Sequence, residues 1–257
     1  MSDPQIRLQA ILLSKEWFGF DLDDTLHEFR KASSQASRSV FKAIHSSDGI
    51  SIDELQATYQ EILRTATAHA FTDRRSSTDY RRERFTRLLE VHGVNDGTIS
   101  DLNADSIQNG KIGLLLNIYQ SSLRSNFALK AGVLDLLHTL KHPGKKIIVI
   151  TEGPADAQES TIRELGLRSY VNVLVTTNEV GRSKIDGLSE IVLQKYDIAA
   201  KDIVYFGDNK VRDVQAAQEN EILAVLYHEG QESHFHDLRA LTLESWDTLR
   251  ALLVDGH

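Results

Sequence analysis

The sequence predicts an α/β fold, a doubly wound parallel sheet of the Rossmann-like kind interrupted by an inserted all-helical segment. After residue 130, short apolar runs rich in β-branched residues alternate with helical patterns, which is typical of right-handed βαβ units. An apolar run at residues 17–21 needs partner strands in the same sheet. Between these regions, residues 30–124 carry helical periodicity throughout, which indicates an insertion into the core.

The N-terminal residues predict one helix and the first strand. Ser2, Asp3 and Pro4 are typical of a helix start, and a short amphipathic helix is expected over residues 5–13. The apolar residues at 17–20 lead directly into three carboxylates. This pattern is expected of a buried strand whose carboxyl end meets a ligand site.

Four helical patterns fill the inserted segment. They lie at residues 30–46, 51–67, 78–92 and 112–123. Ser51 with Glu54 resembles a capping box at the start of the second pattern. We therefore predict a helical cap at residues 30–124 and a discontinuous Rossmann-like core formed by residues 1–29 and 125–257.

The remaining chain predicts the rest of the sheet and the helices that cover it. Buried strands are expected at residues 145–150, 171–176, 203–208 and 222–227. Helices are expected at residues 132–140, 155–165, 188–196 and 211–218. Because parallel strands present their carboxyl ends at one edge, polar residues at those ends are expected to converge.

Composition and charge limit the functional classes. The 257 residues allow one large or two smaller domains, and 41% apolar with 26% charged residues is ordinary for a soluble globular protein. A net charge of −8 argues against non-specific binding to nucleic acid or anionic membranes, and no apolar run approaches a membrane span. The absence of cysteine excludes disulfides and thiolate chemistry. No signal-peptide pattern is present, so we expect a cytoplasmic protein, either a monomer or a homodimer.

The residues after the first strand predict a metal site. Asp21, Asp23 and Asp24 lie within four residues, and Thr25 closes the group. On a regular strand Asp21 and Asp23 would share one face, where two carboxylates repel each other unless a cation lies between them. An aspartate-rich turn or helix cap is the alternative interpretation.

Further polar positions follow in order along the chain. Thr151 and Asp208 stand at predicted strand ends, and Lys184 lies in a loop after a strand. Asp213 follows shortly after Asp208. Carboxylate oxygens such as those of Asp21 and Asp208 are ligands that Mg²⁺ prefers. Thr151, Lys184 and backbone N–H groups can bind a phosphate.

This ordered set resembles the motifs of the haloacid dehalogenase superfamily, whose members are mostly Mg²⁺-dependent phosphatases. The resemblance implies that Asp21 is the nucleophile and forms an aspartyl-phosphate. It implies that Asp23 is the general acid and base and, through its carbonyl, a metal ligand. Thr151 is similar to the phosphate-binding hydroxyl of the superfamily, and Lys184 to its charge-neutralising lysine.

The same resemblance extends to the metal and substrate contacts. It implies that Asp208 is an acidic metal ligand and that Asp213 is a second acid that supports it. The positions expected to bind substrate are Thr25, Glu152, Gly153 and Asn209. The inserted helices resemble the helical-cap subclass of the superfamily.

Two departures from the superfamily pattern lie beside these motifs. Glu152 stands where many relatives carry a neutral residue, so its carboxylate is expected to turn away or to meet a cation or a substrate hydroxyl. Lys184 is followed by Ile185 instead of the frequent proline. Lys184 is still preferred over Lys195 and Lys210, because it lies in a loop after a predicted strand.

The predicted function is a Mg²⁺-dependent phosphomonoesterase that acts on a small organic phosphate. A haloacid dehalogenase or phosphonatase-type hydrolase is one alternative, and a non-catalytic binding protein of the same fold is another. Asp23 favours phosphate-ester chemistry, because a dehalogenase needs no proton donor for the departing halide. The cap pattern does not distinguish nucleotide, sugar, glycolate and isoprenoid phosphates.

Other conspicuous residues are interpreted as structural. A run of arginines between residues 74 and 87 indicates a solvated helix face, with a lid surface for an anionic substrate as the alternative. His228, His234 and His236 indicate a polar surface loop in preference to a transition-metal site. His27 is expected either to contact substrate or to lie at a hinge.

Overall fold

The computed structural model describes residues 3–66, 71–94 and 110–254. The strands in this part of the chain are β1 (Trp17–Phe20), β2 (Lys146–Thr151), β3 (Val173–Thr176), β4 (Ile203–Gly207), β5 (Leu223–Tyr227) and β6 (Leu241–Leu243). They form one sheet of parallel neighbours in the order β3-β2-β1-β4-β5-β6. The order reverses at β1, which is the Rossmann-like arrangement, and the predicted fold class is confirmed.

Helices cover this sheet and also form a separate bundle. Those before β2 are α1 (Asp3–Ser14), α2 (Phe29–Asp48), α3 (Ile52–Ala66), α4 (Ser77–Val91), α5 (Lys111–Ser125) and α6 (Val133–Lys141). Those after β2 are α7 (Ala155–Glu164), α8 (Thr177–Val180), α9 (Ser189–Lys195), α10 (Ala216–Gln218) and α11 (Trp246–Val254). Across the described ranges, no helix has both the length and the apolar character needed to cross a membrane.

Alternate residues of the strands enter hydrophobic cores on opposite faces of the sheet. Phe18 and Phe20 stack against Phe206 of β4, with ring centroids 6.4 and 5.3 Å from its ring. This core includes residues of α1, α6 and α11, among them the fully buried Trp246. Trp17 belongs to the core on the other face, which includes residues of α9 and of the turns around it. Because both faces of the sheet are covered, the sequences of the strands are continuous apolar runs.

The register brings the carboxyl ends of neighbouring strands to one edge. Phe20 of β1 is paired with Phe206 of β4, and β2 pairs along the other side of β1. The amide of Asp21 extends this ladder by donating to the Phe206 carbonyl at 2.8 Å. Thr151 is the last residue of β2, and Asp208 directly follows β4. The polar residues predicted at strand ends therefore lie at the same edge.

Helices α2 to α5 pack on one another around a core of their own. Tyr59 of α3 and Phe85 of α4 stack inside it, with ring centroids 5.8 Å apart. The described elements of the predicted cap are all helices, whereas residues 67–70 and 95–109 of that prediction lie outside the described residues. The exact division at residues 30–124 stays a prediction.

The observed elements differ from the predicted ones mainly in the last third of the chain. The helix predicted at residues 211–218 is present, but it begins as a π-helical turn, Lys210–Gln215, and only the short α10 that follows is α-helical. The Asn209 side chain accepts hydrogen bonds from the amides of Val211 and Arg212 at 3.0 Å each, which holds this turn. The elements β6 and α11 lie beyond the last predicted strand, and both are shorter than the window in which apolar periodicity is recognised.

Candidate active site

Asp21 is the first residue after β1, and its side chain is buried. A turn follows a few residues later, in which the Leu26 amide donates to the Leu22 carbonyl at 3.0 Å and Asp24 has a φ of +62°. Aspartate adopts this left-handed conformation more readily than most residues. Asp21 and Asp23 thus follow β1 and precede or border this turn, so they lie outside the regular strand on which they were expected to share one face.

A buried lysine bridges two carboxylates at this edge of the sheet. Lys184 Nζ lies 2.5 Å from Asp21 Oδ1 and 2.6 Å from Asp213 Oδ1. The exposed side-chain fractions of Lys184, Asp21 and Asp213 are 6%, 8% and 2%. One ammonium thus lies between two desolvated carboxylates. When both carboxylates are ionised, the cluster has a net negative charge unless a further cation joins it.

Burial and the neighbouring charges together shift the pKa values of this cluster. It raises the pKa of Asp21 well above the usual value, an effect that Lys184 opposes and Asp213 strengthens. Burial lowers the pKa of Lys184, but the carboxylates of Asp21 and Asp213 outweigh it and raise that pKa well above its usual value. Burial likewise raises the pKa of Asp208, while Arg30 opposes this rise. An added cation would keep these carboxylates ionised at neutral pH.

Asp213 has both carboxylate oxygens engaged. Oδ2 accepts a hydrogen bond from the Asn209 amide at 2.9 Å, and Oδ1 meets Lys184 and the Tyr205 hydroxyl, the latter at 3.3 Å. A Cβ atom at Gly207 would lie 2.3 Å from Asp213 Cγ, so glycine is needed for the carboxylate to come this close to β4. These contacts suit Asp213 to the support and placement of Lys184.

Three carboxylates at this edge could hold a metal ion. One oxygen from each of Asp21, Asp208 and Asp213 lies within 4.8 Å of the others. Oxygen donors suit a hard cation, and Mg²⁺ needs few protein ligands because it keeps several of its waters. Asp208 Oδ2 also lies 2.9 Å from Arg30 Nη2, but the Arg30 side chain is 75% exposed and such pairs are weak. The donor set therefore fits Mg²⁺.

Two threonine hydroxyls at this edge differ in their surroundings. The Thr25 hydroxyl lies 3.3 Å from Asp21 Oδ2 and accepts a hydrogen bond from the Asp208 amide at 3.0 Å, so it joins the β1 and β4 loops. Thr151 is fully buried, and its hydroxyl has no hydrogen-bond partner among the described residues. A buried polar atom of this kind commonly marks a place where a ligand or water binds.

The Asp23 carboxylate is held outside the carboxylate–lysine cluster. His27 Nε2 lies 2.8 Å from Asp23 Oδ1, and Gln158 Nε2 donates to Asp23 Oδ2 at 3.2 Å. His27 is fully buried, and its ring meets those of Phe29 and Phe127 edge-on at 5.9 and 5.8 Å. His27 therefore supports Asp23. This role differs from the two expected for His27, which were contact with substrate and a position at a hinge.

Glu152 turns towards a cation, one of the outcomes expected for it. Its Oε2 lies 2.8 Å from Arg212 Nη1, and its Oε1 accepts from the Lys184 amide at 3.4 Å. The next residue, Gly153, has a φ of +151°. A Cβ atom there would lie 2.5 Å from Gln158 Nε2, so glycine lets the loop pass close to the side chain that holds Asp23.

Four residues at the site were not singled out from the sequence. They are Arg30, Gln158, Tyr205 and Arg212. The contacts of Arg30 and Gln158 join residues separated by 178 and 135 positions, so no local pattern indicates them. Tyr205 did carry a signal, because it places a hydroxyl inside an apolar strand just before a predicted strand end.

A cavity of about 670 Å³ extends from the site into the helical bundle. Asp23, Glu152 and Gly153 line it on the side of the sheet. The residues on the helical side include Tyr59, Phe71, Tyr80, Arg81, Arg84 and Tyr119. This volume lies within the range of small-molecule sites. We refer to this space as the cap cavity.

The arginine run divides between the protein surface and the cap cavity. Arg75 pairs with Glu83 at 2.7 Å and Arg87 is exposed, as the solvated-face interpretation predicts. Arg81 and Arg84 instead line the cap cavity, so that interpretation is wrong for these two residues.

The fold and site place this chain in a recognisable class, the α/β proteins whose ligands bind at the carboxyl edge where the strand order reverses. A family model described as haloacid dehalogenase-like hydrolase matches residues 19–226. The chain belongs to this family, and the predicted resemblance is confirmed.

Two curated relatives and one solved structure illustrate the similarity. The ribulose-1,5-bisphosphate 5-phosphatase of Halopiger xanaduensis is 25% identical over 83% of this chain and 85% of its own length. The glyceraldehyde 3-phosphate phosphatase of Methanocaldococcus jannaschii is 24% identical over 85% of this chain and 87% of its own. A Bacillus subtilis protein assigned to the HAD hydrolases, YfnB, solved bound to magnesium, superposes with a TM-score of 0.66. It is 18% identical and covers 93% of this chain and 98% of its own, so this likeness shows the fold alone.

Proposed function

We propose that the protein is a Mg²⁺-dependent phosphomonoesterase that acts on a small organic phosphate through an aspartyl-phosphate formed on Asp21. The observation that carries this proposal is the buried cluster at the sheet edge. In it Lys184 contacts Asp21 and Asp213, and Asp208 lies close enough to share a cation with them. A carboxylate can attack an anionic phosphoryl group only where cations offset the charge of both.

Two half-reactions follow from this arrangement. In the first, a carboxylate oxygen of Asp21 attacks phosphorus, the bond from phosphorus to the ester oxygen breaks, and Asp23 gives its proton to that oxygen. In the second, Asp23 takes a proton from water, the water oxygen attacks phosphorus, and phosphate leaves with the Asp21 carboxylate restored. The contacts of Asp23 with His27 and Gln158 support this role, because they hold the carboxylate at the cavity wall.

The phosphate and its charge require donors and a cation. Thr151 and Lys184 are proposed to bind the phosphoryl oxygens, and the unpartnered hydroxyl of Thr151 supports this. Mg²⁺ held by Asp21, Asp208 and the Asp23 carbonyl, with Asp213 in support, would withdraw charge from those oxygens.

The predicted substrate contacts remain part of this proposal. Glu152 and Gly153 line the cap cavity and are proposed to face the organic part of the substrate. Thr25 and Asn209 are proposed to lie near the phosphate group of the substrate. The Thr25 hydroxyl accepts a hydrogen bond from the Asp208 amide, and the Asn209 amide donates to Asp213, so both residues also connect the loops of the site.

The relatives support the enzyme class. The hydrolase family and the two curated relatives named as phosphatases support a hydrolase of phosphate monoesters, as predicted. The substrates in their names are small phosphorylated sugars, and a substrate of that size would fit a cavity of about 670 Å³. We propose a substrate in this size class.

An assay of phosphate and halide release tests the proposed function. With Mg²⁺ present, the protein is expected to release phosphate from p-nitrophenyl phosphate and from small sugar phosphates, and no chloride from 2-chloropropionate. Chloride release without phosphate release would establish the dehalogenase alternative. Release of neither product would favour the non-catalytic binding protein.

The substitution Asp23→Asn separates the acid role from a structural one. General acid assistance is worth about 10²- to 10⁴-fold, and it matters less when the leaving group is stable as an anion. The single-turnover rate of Asp21 phosphorylation should therefore fall more for an alkyl phosphate than for p-nitrophenyl phosphate. Equal losses for the two esters would remove the acid role from Asp23.

A further inference from the structure

The helical side of the cap cavity carries a guanidinium group of which two nitrogens have no hydrogen-bond partner among the described residues. Arg84 lines the cavity, and its Nε and Nη2 atoms are buried without a hydrogen-bond partner. Its guanidinium carbon lies 5.8 Å from the ring centroid of Phe71 and 6.0 Å from that of Tyr80. Buried donors of a charged group are costly to leave unpaired, so this group is suited to an acceptor that enters the cavity.

A second arginine lies one turn earlier on the same face of α4. Arg81 lines the cavity, and its guanidinium carbon lies 5.1 Å from the ring centroid of Tyr119 on α5. Among the described residues, neither Arg81 nor Arg84 forms an ion pair with a carboxylate. Aromatic rings flank both groups and limit their orientations, and they leave the charges unneutralised.

The carboxylates that line the cavity are engaged elsewhere. Glu152 pairs with Arg212, and Asp23 is held by His27 and Gln158. Asp156, at the start of α7, accepts hydrogen bonds from the Ser77 amide at 2.9 Å and from its hydroxyl at 2.7 Å.

The contact between Asp156 and Ser77 also positions the helix that carries Arg81 and Arg84. Ser77 is the first residue of α4, so these two hydrogen bonds fix the start of α4 against the start of α7. Arg81 and Arg84 follow on the next turns of α4, and both side chains line the space that Asp23 and Glu152 line from the sheet. The cavity thus has the site of the proposed phosphate chemistry at one end. Along its helical side it has two arginines that no carboxylate of the described residues neutralises.

We propose that Arg81 and Arg84 form an anion subsite that binds a second anionic group of the substrate. This inference rests on the proposed function and narrows it to phosphate monoesters that carry a second phosphate or a carboxylate. Arginine suits this role, because its planar guanidinium donates two parallel hydrogen bonds to the oxygens of either group. A neutral hydroxyl would satisfy the donors singly and would leave both charges without a counter-charge.

Two matched pairs of esters test the proposal. One pair is 3-phosphoglycerate and glycerol 3-phosphate, in which a carboxylate replaces a hydroxymethyl group. The other pair is ribose 1,5-bisphosphate and ribose 5-phosphate, in which a second phosphate is added. For at least one pair, kcat/KM of the unchanged protein should favour the more anionic member by about 10- to 100-fold, the scale of a charged hydrogen-bonded contact. The pair that shows the preference identifies the second group.

Substitutions on α4 assign that preference to residues. Arg84→Gln and Arg81→Gln should each reduce it by about tenfold, the scale of one such contact. Arg87→Gln, an exposed arginine on the same helix outside the cavity, is the matched control and should retain the full preference. Unfolding temperatures of the three variants establish that each is folded before its kinetics are compared.

The outcomes separate this inference from the function on which it rests. Hydrolysis of both members of each pair at equal rates, or a preference for the less anionic member, would overturn the anion subsite while leaving the phosphatase in place. A preference reduced equally by all three substitutions would also overturn the role of Arg81 and Arg84. Failure to hydrolyse any of these esters or p-nitrophenyl phosphate would overturn the proposed function, and this inference with it.

Discussion

Replacing Asp21 with asparagine is expected to lower turnover of p-nitrophenyl phosphate by about 10⁴-fold or more, the scale seen when a covalent nucleophile is removed. A carboxamide keeps the shape of the carboxylate but is a poor nucleophile, and it weakens the cation site that Asp21 would share with Asp208. The variant should still fold, because Lys184 keeps its contact with Asp213 at 2.6 Å.

A neighbouring carboxylate provides the control for this substitution. Asp24 has a φ of +62°, a conformation that asparagine also tolerates, and its side chain accepts from the Arg30 amide at 3.0 Å. Asp24→Asn should therefore retain activity close to that of the unchanged protein. The measurements are the steady-state rate of p-nitrophenyl phosphate hydrolysis and the unfolding temperature of each variant. An active Asp21→Asn protein would mean that another group, such as water, attacks phosphorus.

Removing divalent cations with EDTA is expected to abolish hydrolysis, and added Mg²⁺ is expected to restore it. The buried cluster has one ammonium, that of Lys184, for the carboxylates of Asp21 and Asp213, and Asp208 lies beside them. A bound phosphate adds further negative charge to this site. Arg30 cannot replace the missing cation, because its pair with Asp208 is largely exposed.

Unfolding temperatures report the same site without any assay of turnover. A ligand that binds only the folded protein stabilises it by about 2.7 kcal/mol at a concentration of 100 times Kd, so Mg²⁺ should raise the unfolding temperature. Asp208→Asn should shift this response and the activity to higher Mg²⁺ concentrations. Asp186→Asn is the control, because Asp186 is 66% exposed and pairs with Arg182 at the surface. Full activity in protein verified to be free of metal would contradict the metal assignment.

The first five strands of the sheet and the order of the site residues could be predicted because their signals are local. Each buried strand is a short apolar run, and Thr151 and Asp208 follow directly from where such runs end. Parallel pairing then brings them together without further information. The turn after β1 could be predicted only as the alternative interpretation, because aspartates at the end of an apolar run also fit a continuing strand until the left-handed Asp24 is seen.

The supporting contacts depend on tertiary structure. Gln158 reaches Asp23 from α7, and Arg212 reaches Glu152 from the turn after β4. Each is a polar side chain of a kind that is common on a protein surface, so the sequence gives no reason to select it.

The placement of the arginines on α4 could be predicted in part. Arg81 and Arg84 are spaced three residues apart and border the buried residues Phe85 and Leu88, so helical periodicity already separates them from the exposed Arg87. What the sequence could not show is that this border faces a cavity that also reaches Asp23.

Acid-quenched single-turnover reactions, reduced with borohydride and analysed by peptide mass spectrometry, test the central claim most directly. Borohydride reduces an aspartyl-phosphate to homoserine, so the label identifies the carboxylate that carried the phosphoryl group. We predict homoserine at position 21 when phosphate ester and Mg²⁺ are both present, and unmodified Asp21 when either is left out. Phosphate release at the full rate with Asp21 unmodified at every quench time, or a label on Asp23 in its place, would contradict the account.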